Sequence, residues 1–310
     1  MSHSFFDLQV NGYAGVDFNS DNLSVDEVYR ACLQLKEDGV KGILATIITA
    51  EIGVIKKRLR FLSRARQEDS LIQEIIAGIH IEGPFLLNQA GYRGAHSPRW
   101  IQPANLEIMK SLLDAADGLT RIVTLAPECD SDFAVTQFLA KNGICVSAGH
   151  CNPDLETLHK AIDAGVQLFT HLGNGCPANV QRHDNIIERV LSLRKKISIC
   201  FIADGTHIPF FTLRNYLDLV GYDNSIIVTD AIAAAAAPPG NYMLAELNLE
   251  VGTDQVVREP GKENFAGSAV TMRQSYENLI DQLGCTQDQA YQLTNKNPLK
   301  FIDPSKRIIP

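Results

Sequence analysis

The sequence lacks most of what would tie a chain to an extracellular scaffold, a membrane or a nucleic acid. Its 7 cysteines are an odd number, scattered without a CxxC pair. That excludes a disulfide framework and a zinc ribbon and points to a reducing compartment. No apolar run approaches the ~20 residues that a bilayer span needs. The opening residues run from Phe5-Phe6 straight into Asp7 and Asn11, so no signal-peptide core forms and a cytoplasmic location is expected. Lys and Arg total 28 against 36 Asp and Glu, a net charge of −8, and no basic run is longer than Lys56-Lys57-Arg58. Nothing there suits a polyphosphate backbone, so no nucleic-acid partner is expected. Internal repeats are absent, and low complexity is confined to the alanines at 233–237.

What is present is an ordinary globular composition, 45% hydrophobic and 21% charged over 310 residues. Eight short apolar segments recur along the chain, at 5–10, 42–49, 75–81, 121–126, 144–148, 168–171, 197–203 and 225–229. They are near-continuous rather than alternating, as expected of parallel strands covered on both faces. Helical signals fill the gaps. Ser24 and Glu27 form a capping box before 25–38, with Gly39 as terminator, and Asn152 can cap a helix starting at Pro153. Segments 51–66, 105–116, 132–141, 185–194 and 209–219 supply the remaining connections. Eight such alternations predict a (β/α)8 barrel. A doubly wound open sheet would carry a glycine-rich phosphate turn after its first strand, and Asn11-Gly-Tyr-Ala-Gly15 lacks that spacing. The expected organisation is one barrel over 1–310 with a hairpin insertion around 240–260 (strands at 242–249 and 255–258). Closing helices follow at 268–283 and 286–295, then an extended tail from 298.

Active sites of such barrels lie at the C-terminal ends of the strands. Glu82 follows the third predicted strand, His150 the fifth, His171 the sixth, Asp204 and His207 the seventh, and Asp230 the eighth. Ionisable residues directly after apolar strands have no packing reason to be there; taken together they read as one converging constellation. Glu82, His150 and His171 offer one oxygen and two nitrogens to a single divalent metal. That set suits Zn2+ and would also accept Fe2+, Co2+ or Mn2+. A metal held there would lower the pKa of a water towards ~7. Asp230 is then the natural proton shuttle, taking a proton from attacking water and giving it to a departing amine. Its alternative is a buried carboxylate that merely caps a helix.

Several segments together resemble the amidohydrolase superfamily and, within it, the N-acetylglucosamine-6-phosphate deacetylase family. They are His80-Ile-Glu82-Gly-Pro-Phe85, Gly94-Ala-His96, Gly149-His150-Cys-Asn152, Thr170-His171-Leu-Gly-Asn174-Gly175, Ala203-Asp204-Gly-Thr-His207, Val228-Thr-Asp230-Ala231 and Phe265-Ala-Gly-Ser268. The resemblance runs from Phe6 to about Pro298, in the family's order. It implies a metal on Glu82, His150 and His171, with Asp230 as acid and base and His96, beside Ala95, orienting the acetamido carbonyl. It further implies that Asn174 and the Gly175 N–H hold a phosphate, and that Asp204, His207, Phe265, Ala266 and Gly267 line a sugar pocket. The implied reaction is hydrolysis of an N-acetyl amino sugar phosphate, foremost N-acetylglucosamine 6-phosphate, by a homodimer.

The chain also departs from the family pattern. Gln9 and Asn11 stand where two-metal relatives carry His-x-His, so a single metal is expected. The family's flanking β-sandwich segment is expected to be mostly missing. Arg182 falls where a phosphate-binding arginine is expected, but in the context Gln181-Arg-His-Asp-Asn185. It could clamp a phosphate or pair with Asp184 or Glu188. Other acylated amines or cyclic amides remain as substrates, and a non-catalytic sugar-phosphate binder is the reading from a different class. Tyr13, Trp100 and His183 are further candidates for the pocket, and His159 reads as structural.

Overall fold

Eight parallel strands follow one another round a barrel in chain order: β1 (Phe5–Val10), β2 (Val40–Ile48), β3 (Ile76–Glu82), β4 (Thr120–Leu125), β5 (Cys145–Ala148), β6 (Val166–Phe169), β7 (Ser198–Ile202) and β8 (Ser225–Val228). This computed structural model describes residues 4–261 and 265–302. All eight expected strands are present, and the architecture is the (β/α)8 barrel. Register sets the layers. Ile48 pairs with Glu82 and Glu82 with Thr124, which brings these three side chains to the same level at the C-terminal end. Below them Leu8, Leu44, Ile122, Leu168, Ile202 and Val228 belong to a buried apolar cluster inside the barrel. The larger cluster, including Ile43, Ile79, Val123 and Phe201, packs the outer strand faces against the helices.

The helices of the barrel and its closure are α1 (Val25–Glu37), α2 (Ile52–Glu68), α3 (Ser70–Ile75), α4 (Leu106–Ala115), α5 (Ala134–Lys141), α6 (Leu155–Ala164), α7 (Ile186–Ser192), α8 (Phe210–Val220), α9 (Met272–Asp281) and α10 (Gln287–Tyr291), the last continuing as a π-helical turn, Gln292–Lys296. The Ser24–Glu27 capping box closes as expected. Asn152, however, does not cap α6. Asp154 does so, accepting from Thr157 N at 2.7 Å, because Asn152 Oδ1 is already engaged by Arg189. Helix α5 starts at Ala134 rather than 132, since Asp132 and Phe133 adopt left-handed backbone. The extra helix α3 arises where Asp69 accepts from Leu71 N and Ile72 N.

Beyond β8 the predicted strand 242–249 is divided by a turn at Ala245–Glu246. It becomes β9 (Gly240–Leu244) and β10 (Leu247–Val251), followed by β11 (Val257–Arg258). Leu244, Leu249, Val251 and Val257 share a buried cluster with Ile48, Ile232 and Ala266, so this small sheet lies against the active face. Helix α9 begins four residues later than expected, because Ser268 instead bridges to Ala231. The predicted tail is helical at Asn297–Leu299, and its end, 303–310, lies outside the described residues. All seven cysteines are free thiols. Among the described residues no helix is long and apolar enough to cross a membrane.

Candidate active site

The strand ends deliver their polar residues to one place. Glu82 is the last residue of β3, while His150, His171 and Asp230 each lie two residues past β5, β6 and β8. The latter three all take positive φ, at 51°, 29° and 51°. Such backbone costs ~1–3 kcal/mol per residue and persists only where its surroundings over-determine it. Here each turn swings a side chain inward over the barrel mouth.

Donor atoms of Glu82, His150 and His171 lie within 4.8 Å of one another, and all three residues are buried. His171 Nε2 stands 3.2 Å and His150 Nε2 3.3 Å from the same oxygen, Glu82 Oε1. His150 Nδ1 lies 2.8 Å from the Tyr92 carbonyl, which can only accept, so Nδ1 carries the proton and Nε2 presents a lone pair. Two imidazole nitrogens aimed at one buried carboxylate oxygen call for a cation between them, and the mixed N and O donors fit a divalent metal. Glycine makes room for the His150 ring. A Cβ at Gly94 would stand 2.9 Å from His150 Cε1, and one at Gly175 would stand 2.8 Å from Nδ1.

Two amides bind the site together. Gln9 Nε2 donates to Glu82 Oε1 at 3.1 Å and to Asp230 Oδ1 at 3.0 Å, and Asn11 Nδ2 donates to Asp230 Oδ1 at 2.7 Å. Burial pushes the Asp230 carboxyl upward, opposed by the nearby His171. Burial acts the same way on Glu82, but the imidazoles of His150, His171 and His96 beside it outweigh burial and hold that carboxyl well below its usual range. His96 is pushed down to about 3 by burial and by the neighbouring His150, so its ring is neutral. Its Nδ1 meets Thr49 Oγ1 at 2.9 Å and its Nε2 stands 3.9 Å from Glu82 Oε2.

A cavity of about 390 Å³ opens above these groups, lined by Asn11, Ala95, His96, Asn174, Gly175, His207, Phe265, Ala266 and Gly267 as well as Glu82, His150, His171 and Asp230. Asp204 stands behind it. Its Oδ2 lies 2.6 Å from His207 Nδ1 and its Oδ1 accepts from Thr206 N and His207 N; despite burial, this pairing holds the Asp204 carboxyl below its usual value. Arg182 is exposed and does not line the cavity, and among the described residues neither does any other arginine or lysine. It is Arg189, not Arg182, that pairs with Asp184. His183 is also exposed, and His159, on α6, has its Nδ1 near Lys196 Nζ. Tyr13 is turned away from the cavity, its hydroxyl donating to Asp38. Trp100 lines a neighbouring cavity of about 290 Å³ that shares the wall at His96.

Sequence reasoning missed a polar layer under the site. His80 Nε2 meets Thr124 Oγ1 at 2.7 Å, Thr124 meets Thr170 at 2.7 Å, and Ser147 meets Thr170 at 2.6 Å. His80 comes two residues before Glu82, Ser147 three before His150 and Thr170 one before His171, each a polar residue in or directly after an apolar strand, and that was the available signal. Glu259 and Cys176 in the cavity wall had none.

No protein-family model matches the chain. It is 30% identical over 313 residues to the N-acetylglucosamine-6-phosphate deacetylase of Haemophilus influenzae, covering 99% of this chain and 78% of that protein. To the Bacillus subtilis enzyme of the same name it is 29% identical over 296 residues, 95% of this chain and 73% of the other. A solved structure of N-acetyl-D-glucosamine-6-phosphate deacetylase from Mycobacterium smegmatis, a mutant in complex with N-acetyl-D-glucosamine-6-phosphate, superposes with a TM-score of 0.87 at 28% identity, covering 97% of this chain and 77% of that one.

Proposed function

This chain belongs to the N-acetylglucosamine-6-phosphate deacetylase family, and on that premise we propose that it hydrolyses N-acetylglucosamine 6-phosphate to glucosamine 6-phosphate and acetate. The observation that carries the assignment is the convergence of the Glu82–His150–His171 triad and Asp230 beneath one cavity. A divalent ion on that triad, with Zn2+ the best match to its donors, supplies Lewis acidity and lowers the pKa of water.

The chain's own residues do the rest. Asn11 and Gln9 both occupy Asp230 Oδ1, leaving Oδ2 with no protein partner among the described residues. That oxygen accepts the proton of the attacking water and returns it to the amine as the amide C–N bond breaks. Burial raises the proton affinity of the Asp230 carboxyl, which favours the uptake. If Nδ1 of the neutral His96 accepts from the Thr49 hydroxyl, its proton sits on Nε2 and can donate to the acetamido oxygen as negative charge builds there. Asn174, the Gly175 N–H and His207, steadied by Asp204, hold the sugar and its phosphate, with Phe265, Ala266 and Gly267 as the facing wall.

Because no arginine or lysine lines the cavity among the described residues, we assign phosphate charge neutralisation to Arg182 of a second copy in a homodimer. The same observation favours one alternative, an unphosphorylated N-acyl substrate. The described residues act as one catalytic unit, the small sheet at 240–258 forming a wall of the site. Seven free thiols support a cytoplasmic location. Acetate release is measured on phosphorylated and unphosphorylated N-acetylglucosamine, with added Zn2+ and with a chelator. Metal-dependent release that prefers the phosphorylated sugar is expected. Equal rates would favour the alternative, and no release from either sugar by metal-loaded protein would reject the deacetylase assignment.

A further inference from the structure

The barrel closes weakly at one seam. Every neighbouring pair of strands from β1 to β8 shares a ladder, but β1 and β8 themselves do not. Their backbones meet at the Val10–Ala231 bridge, where Asn11 N and Gly12 N donate to the Ala231 carbonyl. One strand of this seam carries Gln9 and Asn11 and the other leads into Asp230. The proton-transfer group and the amides that aim it therefore lie on opposite sides of the least-bonded joint in the barrel.

Besides Gln9 and Asn11, which reach Asp230 itself, one buried carboxylate crosses that joint beneath the site. Asp7 is 2% exposed. Its Oδ1 accepts from Gln9 N at 3.1 Å and from Thr229 N at 3.3 Å, and its Oδ2 accepts from Thr229 Oγ1 at 2.5 Å. Thr229 Oγ1 accepts in turn from Ala231 N at 3.1 Å, and the Thr229 carbonyl accepts from Ser268 Oγ at 2.5 Å. These bonds grip the backbone on both sides of Asp230, whose φ of 51° must be held by its surroundings. The strand register also shifts between Asp7 and Val10, the irregularity that turns Gln9 towards the site.

We propose that Asp7, acting through Thr229, is a positioning residue for the reaction: its carboxylate clasps the β1–β8 seam and so fixes Asp230 relative to Gln9 and Asn11. It touches neither the metal-binding side chains nor the cavity. Burial pushes Asp7 up to about 7 in spite of its three donors, but the clasp works in either protonation state. When protonated on Oδ2, Asp7 donates to Thr229 Oγ1, and Oδ1 still receives the two backbone N–H groups.

The inference rests on the deacetylase reading, and its test keeps the two apart. Asp7→Ala removes both oxygens, whereas Asp7→Asn keeps an acceptor at Oδ1 and a donor facing Thr229. For Asp7→Ala, kcat should fall at least tenfold with KM within threefold and metal content unchanged, and Asp7→Asn should restore kcat to within threefold of wild type. Hydrogen exchange of segments 5–13 and 226–234 should quicken in Asp7→Ala and revert in Asp7→Asn, a result that needs no substrate. Should Asp7→Ala not fold, Thr229→Val removes the Oγ1 bond and should lower kcat about tenfold, with Thr229→Ser restoring it. A folded, metal-loaded Asp7→Ala or Thr229→Val protein with kcat within twofold of wild type overturns the proposal, whatever its melting temperature. Absence of turnover in the wild type counts against the substrate, while the exchange result still decides for or against the clasp.

Discussion

Replacing Gln9 by leucine isolates the bond that joins Glu82 of the proposed metal-binding triad to Asp230, the proposed proton shuttle. Gln9 is 1% exposed, and one nitrogen serves two buried carboxylates, Glu82 Oε1 at 3.1 Å and Asp230 Oδ1 at 3.0 Å. Leucine has nearly the same volume, so packing should survive while one hydrogen bond disappears from each carboxylate. A hydrogen bond to a charged group contributes ~1.5–3 kcal/mol. Asp230 keeps Asn11 at 2.7 Å and Glu82 keeps its imidazole neighbours, so neither is abandoned. The expected loss is about 10–100-fold in kcat at saturating metal, together with about 10–100-fold weaker metal binding, the usual range for partners of metal ligands. KM should stay within threefold because Gln9 does not line the cavity. The assays are acetate release at saturating Zn2+ and competition of the bound metal against a chelator. A kcat within threefold of wild type, with metal affinity also unchanged, would refute the claim that Gln9 couples the two carboxylates.

Asp230→Asn should abolish turnover while metal content stays at wild-type level, since Asp230 is outside the Glu82–His150–His171 triad; a near-normal rate would remove Asp230 from the mechanism. Stability should depend on pH through Asp7. Its folded value of about 7 lies above the ordinary 3.8, so the folded state binds the proton more tightly and the contribution is complete below pH ~4 and lost as pH rises through ~7. The difference between wild type and Asp7→Asn in denaturant unfolding should therefore change by a few kcal/mol, roughly 4, across that window and be flat above it; a flat difference throughout would show that Asp7 is not perturbed. Arg182→Ala should raise KM for the phosphorylated sugar at least tenfold and leave an unphosphorylated one unaffected; equal effects on both would exclude a phosphate contact.

Several expectations failed for local reasons. Asn152 is as good a cap as Asp154 by residue type, yet Arg189 from α7 occupies its side chain and the helix starts two residues later. The predicted strand 242–249 looked continuous because its turn, Ala245–Glu246, contains neither glycine nor proline. Ala245 takes φ 52° there while its N–H is held by Asp17 from across the fold. Arg182 had a suitable distance from Asn174 along the chain, but spacing does not fix where an exposed side chain lies, and it stands outside the cavity.

The amino-acid sequence by itself determined the barrel and the identity of the groups at its mouth. Apolar segments buried on both faces leave parallel strands as their economical arrangement, and an acidic or imidazole side chain directly after such a strand has only the open end to occupy. Tertiary structure alone decided how those groups meet. The Ile48–Glu82–Thr124 level, the imidazoles sharing one carboxylate oxygen, the Gln9 bridge and the Asp7 clasp all depend on strand register and on closing β1 against β8. Register is settled by contacts between residues as far apart as Asp7 and Thr229, and no local pattern in the chain carries that information.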